Sequence, residues 1–393
     1  MNPRNNMDER QSAPTTEEKK EYRKPASKKR RKKKASPEKV LAIVLASLAL
    51  LLVLVALSAG AFVLYTGSLH GNMFAARETD QMQKVRSQAE AAATPSPTPL
   101  LEQVDADWID SEGRPWNRKE NVLTVLLMGV DYMGKASNWE NGQKNGGNTD
   151  VLALLILDLD TNSAKVLYIP RDTMADVLAL DEEGNFQSML YTNITTAHSF
   201  GDGGVLSCEL TEHAVSGLLC GAEIDRYVSV DYDAIGEINT LLGGVEYTLD
   251  ADYSWIDWRM TEGATVRLES WQLRRLLSYR DKSELDGAYR RGQRDLKIMR
   301  AMFEQFKTAF REDPSVTFRM YSALEKYLVT DLSMDEISFL AQTLVNIQLD
   351  SDCVINLPGE NQAGEEYVEF YPDLDWIQTF AAETFYVPAE SND

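Results

Sequence analysis

Four charged residues stand where apolar runs stop or start. Asp131 follows the run Val122 to Val130, in which Gly129 lets the backbone turn sharply; Asp150 opens the run Val151 to Asp160; Arg171 and Asp172 follow Ala164 to Pro170. In open α/β sheets, ligands gather outside strand ends, so residues placed there are site candidates. An aspartate pair beside an arginine suits a magnesium pyrophosphate, because the hard cation takes oxygen ligands and the guanidinium forks onto phosphate oxygens. Such residues also occur as solvated strand-end or turn residues, so the placement alone does not decide.

A second cluster lies in Leu273 to Arg300, with Arg274, Arg275, Arg280, Lys282, Arg290, Arg291, Arg294, Lys297 and Arg300 in a region otherwise acidic. On a helix Arg291 and Arg294, three apart, share a face. A basic face is commonly solvated, but against the acidic surroundings it points to an anion.

The elements that must position these residues read as alternating α and β. The runs at 122–131, 151–160 and 164–170 are near-continuously apolar, the mark of strands covered on both faces, and "TNS" joins the last two as a hairpin. If the first and third are parallel neighbours and the second is antiparallel, Asp131, Asp150, Arg171 and Asp172 share one sheet edge. Further helices are expected near 204–219, 288–310, 334–347 and 373–385, and strands at 225–231, 245–250 and 353–359. The expected fold class is α/β, with a mixed central sheet flanked by helices on both faces.

Residues 1–39 carry 14 Lys or Arg against 6 Asp or Glu, whereas the whole chain has net charge −21, so the rest carries −29. Between them, residues 40–65 hold no charge. About 20 apolar residues span a bilayer, so one transmembrane helix is expected. The basic flank places residues 1–39 in the cytoplasm as a tail and everything after the helix outside the cell membrane. Residues 66–118, with "TPSPTPL", read as a tether, and 119–393 as the outer domain. Its acidic balance argues against nucleic acid. Cys208 and Cys220, on one expected helix, would lie about 18 Å apart, too far to bridge each other, while Cys353 could pair with either or stay reduced. Three scattered histidines and no HExxH make a zinc site a poor fit.

The ordered motifs "LLMGVD", "NTDVLALLILD", "YIPRDT", "NITTAHSFG", "DRYVSVDYDAIGEINTLLGGVEYTL", "YRDKSELDGAYRRGQRDLKIM" and "NLPGE" resemble the LytR-CpsA-Psr family across nearly the whole outer domain. The resemblance implies transfer of a polyprenyl-pyrophosphate-linked anionic glycopolymer, teichoic acid or capsular polysaccharide, to a peptidoglycan hydroxyl. Polyprenyl monophosphate would be released, with Mg2+ as cofactor. It implies metal-associated Asp131 and Asp150, a catalytic Pro-Arg-Asp at Arg171 and Asp172, and pyrophosphate contacts from Arg171, Arg280, Lys282, Arg291 and Arg294. Asp131 is also the candidate base. Three positions depart from the family pattern: Asn148 for Arg or Lys, Thr195 for Asn, and Asp295 for Gln. Alternatives are a non-catalytic binding or regulatory protein of cell-wall assembly and a hydrolase of the same lipid-linked substrate.

Overall fold

The computed structural model describes residues 73–75, 77–93, 106–131, 146–279, 286–347, 353–365 and 367–389. The basic tail and the apolar span 40–65 lie outside the described residues, and among those described no helix is long and apolar enough to cross a membrane.

In chain order the helices are α1 (Asp80–Ala92), α2 (Val205–Leu218), α3 (Ala234–Leu241), α4 (Ser270–Ser278), α5 (Gly287–Glu312), α6 (Val316–Leu324), α7 (Met334–Asn346) and α8 (Leu374–Phe385). The strands are β1 (Trp108–Ile109), β2 (Pro115–Arg118), β3 (Val122–Val130), β4 (Thr149–Asp158), β5 (Ser163–Ile169), β6 (Met174–Leu180), β7 (Phe186–Asn193) and β8 (Arg226–Asp231). They continue as β9 (Val245–Thr248), β10 (Thr265–Leu268), β11 (Leu328–Thr330), β12 (Val354–Asn356), β13 (Gly359–Ala363), β14 (Val368–Pro372) and β15 (Tyr386–Pro388).

Six strands form the central mixed sheet in the order β11-β8-β3-β4-β5-β12. β3 and β5 run in the same direction, as expected, but they are not neighbours: β4 lies between them, antiparallel to both. The ends of β3 and β5 and the start of β4 therefore meet at one edge. β9 stands outside this sheet and pairs with β10.

One face of the sheet is sealed. Leu126, Met128, Leu152, Leu154, Leu167 and Ile169 are buried there against α2 and α8. The register across β3, β4 and β5 aligns Leu127, Ala153 and Tyr168 on the opposite face, under α5 and α7. On this face Leu127, Val166, Val228 and Val354 remain only half-buried. An incompletely covered apolar seam runs along the sheet under the helices.

The tether reading fails for its described residues. Thr79 caps α1, and Met82 and Val85 of that helix are buried against Leu178, Leu206 and Leu210, while β1 and β2 form a sheet with β15. An amphipathic face that finds an apolar partner docks rather than floats. Cys208 and Cys220 do not bridge each other; Cys220 follows the end of α2 with φ +60°, so the helix does not carry both.

Candidate active site

Pro170 stops β5, because it brings no N–H to the sheet ladder. The chain then turns: Thr173 N donates to Pro170 O at 3.0 Å, and its hydroxyl donates to the same oxygen at 2.6 Å. Arg171 and Asp172 thus occupy the two central positions of a four-residue turn. The turn is pinned from outside, because Thr195 N donates to Arg171 O at 3.1 Å and Phe370 N to Asp172 O at 2.8 Å. Asn193 Nδ2 also donates to Asp172 O at 3.1 Å. Both charged side chains are therefore projected by a fixed backbone.

At the neighbouring strand end, Asn148 N donates to Asp131 Oδ1 at 2.9 Å, and Asp131 N to Asn148 O at 3.2 Å. Thr195 Oγ1 donates to Thr149 O at 2.8 Å, tying the start of β4 to the segment after β7. The departure at 195 thus takes a structural side-chain hydrogen bond, whereas residue 148 is tied to Asp131 through its backbone.

Asp150 is the hub. Its Oδ1 pairs with Arg171 and, at 3.2 Å, with Arg291 Nη2 from α5; Arg171 Nε lies 3.4 Å from Asp172 Oδ1. Arg291 and Arg294 are both over nine-tenths buried. Arg294 Nη2 donates to Tyr279 O at 2.5 Å, and its guanidinium lies 5.9 Å from the ring centres of both Tyr253 and Tyr279. The Nε groups of Arg291 and Arg294 have no hydrogen-bond partner although buried. A buried donor without an acceptor is costly, and a site built to receive an anion accounts for two of them together.

Asp295 is 4% exposed, with Arg294 Nε at 3.9 Å from its Oδ1. Burial pushes its carboxyl up to about 7, against the opposing pull of Arg294 and Arg291. The carboxyl is therefore partly protonated near neutral pH, which limits how much it offsets the arginines. Tyr168, raised well above its ordinary value chiefly by burial, lies against the same helix. A Cβ on Gly292 would overlap the Tyr168 hydroxyl, so α5 sits on β5 as closely as a glycine permits.

Of the expected residues, the structure joins Asp150, Arg171, Asp172 and Arg291 by direct pairs, with Arg294 one helical turn along and Asp131 at the adjoining strand end. Arg280 and Lys282 lie outside the described residues. Arg290 points away, two-thirds exposed and paired with Asp286. Sequence reading missed Tyr168, Tyr253, Tyr279 and Gly292, whose roles arise only when α5 packs on the sheet. It also passed over His198, buried with Nδ1 at 2.8 Å from Gly146 O and lowered in pKa by that burial.

Among the described residues no group of three or more His, Cys, Asp or Glu encloses a metal. Asp131 and Asp150 do supply hard oxygen donors at one edge. Such a pair fits Mg2+, which keeps waters and completes its shell with substrate phosphate oxygens rather than with an all-protein cage.

The relatives of this chain carry consistent names. It is 23% identical over 254 residues to the polyisoprenyl-teichoic acid–peptidoglycan teichoic acid transferase TagU of Bacillus mycoides, which covers 64% of this chain and 74% of that one. Over 136 residues it is 32% identical to TagV of Bacillus subtilis, a transferase of the same description, covering 34% of this chain and 30% of that one. The crystal structure of Bacillus subtilis TagV superposes with a TM-score of 0.52 at 22% identity, covering 68% of this chain and 98% of that one. A structure described as TagT bound to LI-WTA superposes with a TM-score of 0.50 at 18% identity, covering 67% and 90%. These likenesses show a shared fold. The LytR_cpsA_psr family model matches residues 75–383, most of the chain, and this protein therefore belongs to the LytR-CpsA-Psr family.

Proposed function

We propose that this protein transfers a glycopolymer phosphate, of the teichoic acid or capsular kind, from a polyprenyl pyrophosphate carrier to a peptidoglycan hydroxyl. The observation that carries this reading is the pair of buried guanidiniums, Arg291 and Arg294, each with a buried Nε that makes no hydrogen bond, beside Arg171 at a strand edge. The names of TagU and TagV supply the class of donor and acceptor. The half-buried seam of Leu127, Val166, Val228 and Val354 offers an apolar bed for the prenyl tail.

In this mechanism Arg171, Arg291 and Arg294, with Arg280 and Lys282, hold the pyrophosphate, and Asp172 orients Arg171. The acceptor oxygen attacks the phosphorus that bears the glycan. The bond from that phosphorus to the bridging oxygen breaks, and polyprenyl monophosphate leaves. The acceptor proton passes to Asp131, which is exposed and held through Oδ1 by the Asn148 amide. Preorganised guanidiniums stabilise the charge that grows on the leaving phosphate. Mg2+, held by Asp131 and Asp150, would neutralise phosphate charge when bound. The uncharged span 40–65 would anchor the chain in the cell membrane, with its basic flank cytoplasmic and the family domain outside.

The test is to incubate the full chain with a labelled lipid-linked glycan, with and without peptidoglycan oligomers. Acceptor-dependent label on peptidoglycan, together with lipid monophosphate, is expected. Free glycan phosphate made without acceptor would show a hydrolase, and no product with retained lipid binding would show a binding protein.

A further inference from the structure

We propose that Trp255, Trp258, Trp271 and Tyr279 form a shelf beside the arginine site that binds the sugar rings of an uncharged glycan acceptor; the proposal rests on the transferase reading above. Trp258 is 80% exposed, Trp255 52% and Trp271 48%. Single exposed apolar residues are ordinary, but several indoles gathered at one place mark a binding surface.

The shelf is held in place. Asp257 accepts from Gln272 Nε2 at 3.0 Å and pairs with Arg259 at 2.9 Å, so the residues flanking Trp258 are fastened to the start of α4. Trp271 stands there, its Nε1 donating to Glu269 Oε2 at 2.9 Å. At the other end of α4, Trp255 packs on Tyr279 with ring centres 4.7 Å apart. Tyr279 O is the acceptor for Arg294, which makes the shelf continuous with the candidate pyrophosphate site. From Trp271 to Tyr279 the helix rise is about 12 Å, room for a short oligosaccharide.

Charge selects the occupant. Residues 250–279 hold five acidic residues against four basic, and Asp252, Glu262 and Glu269 are exposed. A polyanionic glycopolymer or an anionic lipid surface is recognised by an excess of Lys and Arg, and the shelf offers none. An uncharged sugar suits this surface: its C–H faces lie against the electron-rich rings, and its hydroxyls donate to the carboxylates.

The experiment titrates the purified full chain with an uncharged β-linked N-acetylhexosamine oligomer, followed by tryptophan fluorescence. Trp258→Ala and Trp271→Ala should each weaken binding by about tenfold, with little dependence on salt. Both variants should bind the lipid pyrophosphate donor like wild type, which excludes a general loss of fold. Wild-type affinity for the oligomer in both variants overturns the shelf. So does quenching of wild-type fluorescence by brominated phosphatidylglycerol in nanodiscs that Trp258→Ala abolishes, which would assign the tryptophans to lipid. If transfer fails in Arg171→Ala while the tryptophan variants bind the oligomer normally, the transferase reading stands and the shelf alone falls.

Discussion

Asp295 is the residue whose chemistry departs furthest from its type. Its carboxyl ordinarily titrates at 3.8 but is pushed up to about 7 by burial. Between those values the native protein holds a proton that the unfolded chain has released. Its contribution to stability is therefore fully present below about pH 4 and is lost as pH rises through about 7, with a span on the order of 4 kcal/mol. Asp295→Asn keeps the shape and cannot ionise, so the difference between wild-type and variant stability should fall across this window. Urea midpoints measured from pH 4 to 8 check it, and parallel curves would refute it. The residue itself was legible as a departure from the family pattern; its burial was not, because local sequence does not say which side of α5 faces the sheet. Arg171 and Asp172 were legible because Pro170 stops the strand directly before them.

At the scale of elements, the docking of α5 on β5 positions Arg291 and Arg294. Replacing a helical glycine by alanine ordinarily stabilises by about 1 kcal/mol. At Gly292 the new Cβ would overlap the fully buried Tyr168, which has no free direction in which to move. Overpacking costs roughly 1–3 kcal/mol, so the clash should win. Gly292→Ala should lower stability and transfer, and Gly292→Ala with Tyr168→Leu should recover part of the stability in urea unfolding. A stabilised single variant would show that α5 can lift without cost. The strands β3, β4 and β5 and the helices α5, α7 and α8 were legible from apolar runs and period. The hairpin β6–β7 was not, because β7 buries none of its residues and lacks an apolar stripe. Gly184, at φ +78°, and Asn185 carried the turn signal that marked it. The insertion of β4 between β3 and β5 is a matter of sheet order, which strand pattern alone does not encode.

At the scale of the molecule, the segment before the sheet is part of the fold. Glu336 caps α7 through Ser333, pairs with Arg77 at 2.6 Å, and lies 3.3 Å from Arg226, a fully buried arginine that also donates to Ala75 O. Removing the carboxylate takes an ion-pair partner from a buried guanidinium, which costs about 3–5 kcal/mol. Glu336→Ala should therefore destabilise the protein by about 3 kcal/mol in urea unfolding, and a change under 1 kcal/mol would show that the docked segment is incidental. The fold and the site come together in the activity of the intact chain. The decisive measurement is the initial rate of glycan transfer from a labelled polyprenyl pyrophosphate to peptidoglycan oligomers by the full chain in lipid vesicles. Wild type is compared with Arg171→Ala and with Arg319→Ala, an exposed α6 variant outside the site, each checked for fold by circular dichroism. Arg171→Ala should lose about 10²-fold or more in rate while Arg319→Ala matches wild type. Near wild-type transfer by folded Arg171→Ala would instead make the turn at 170–173 a solvated strand rim and contradict the proposed site.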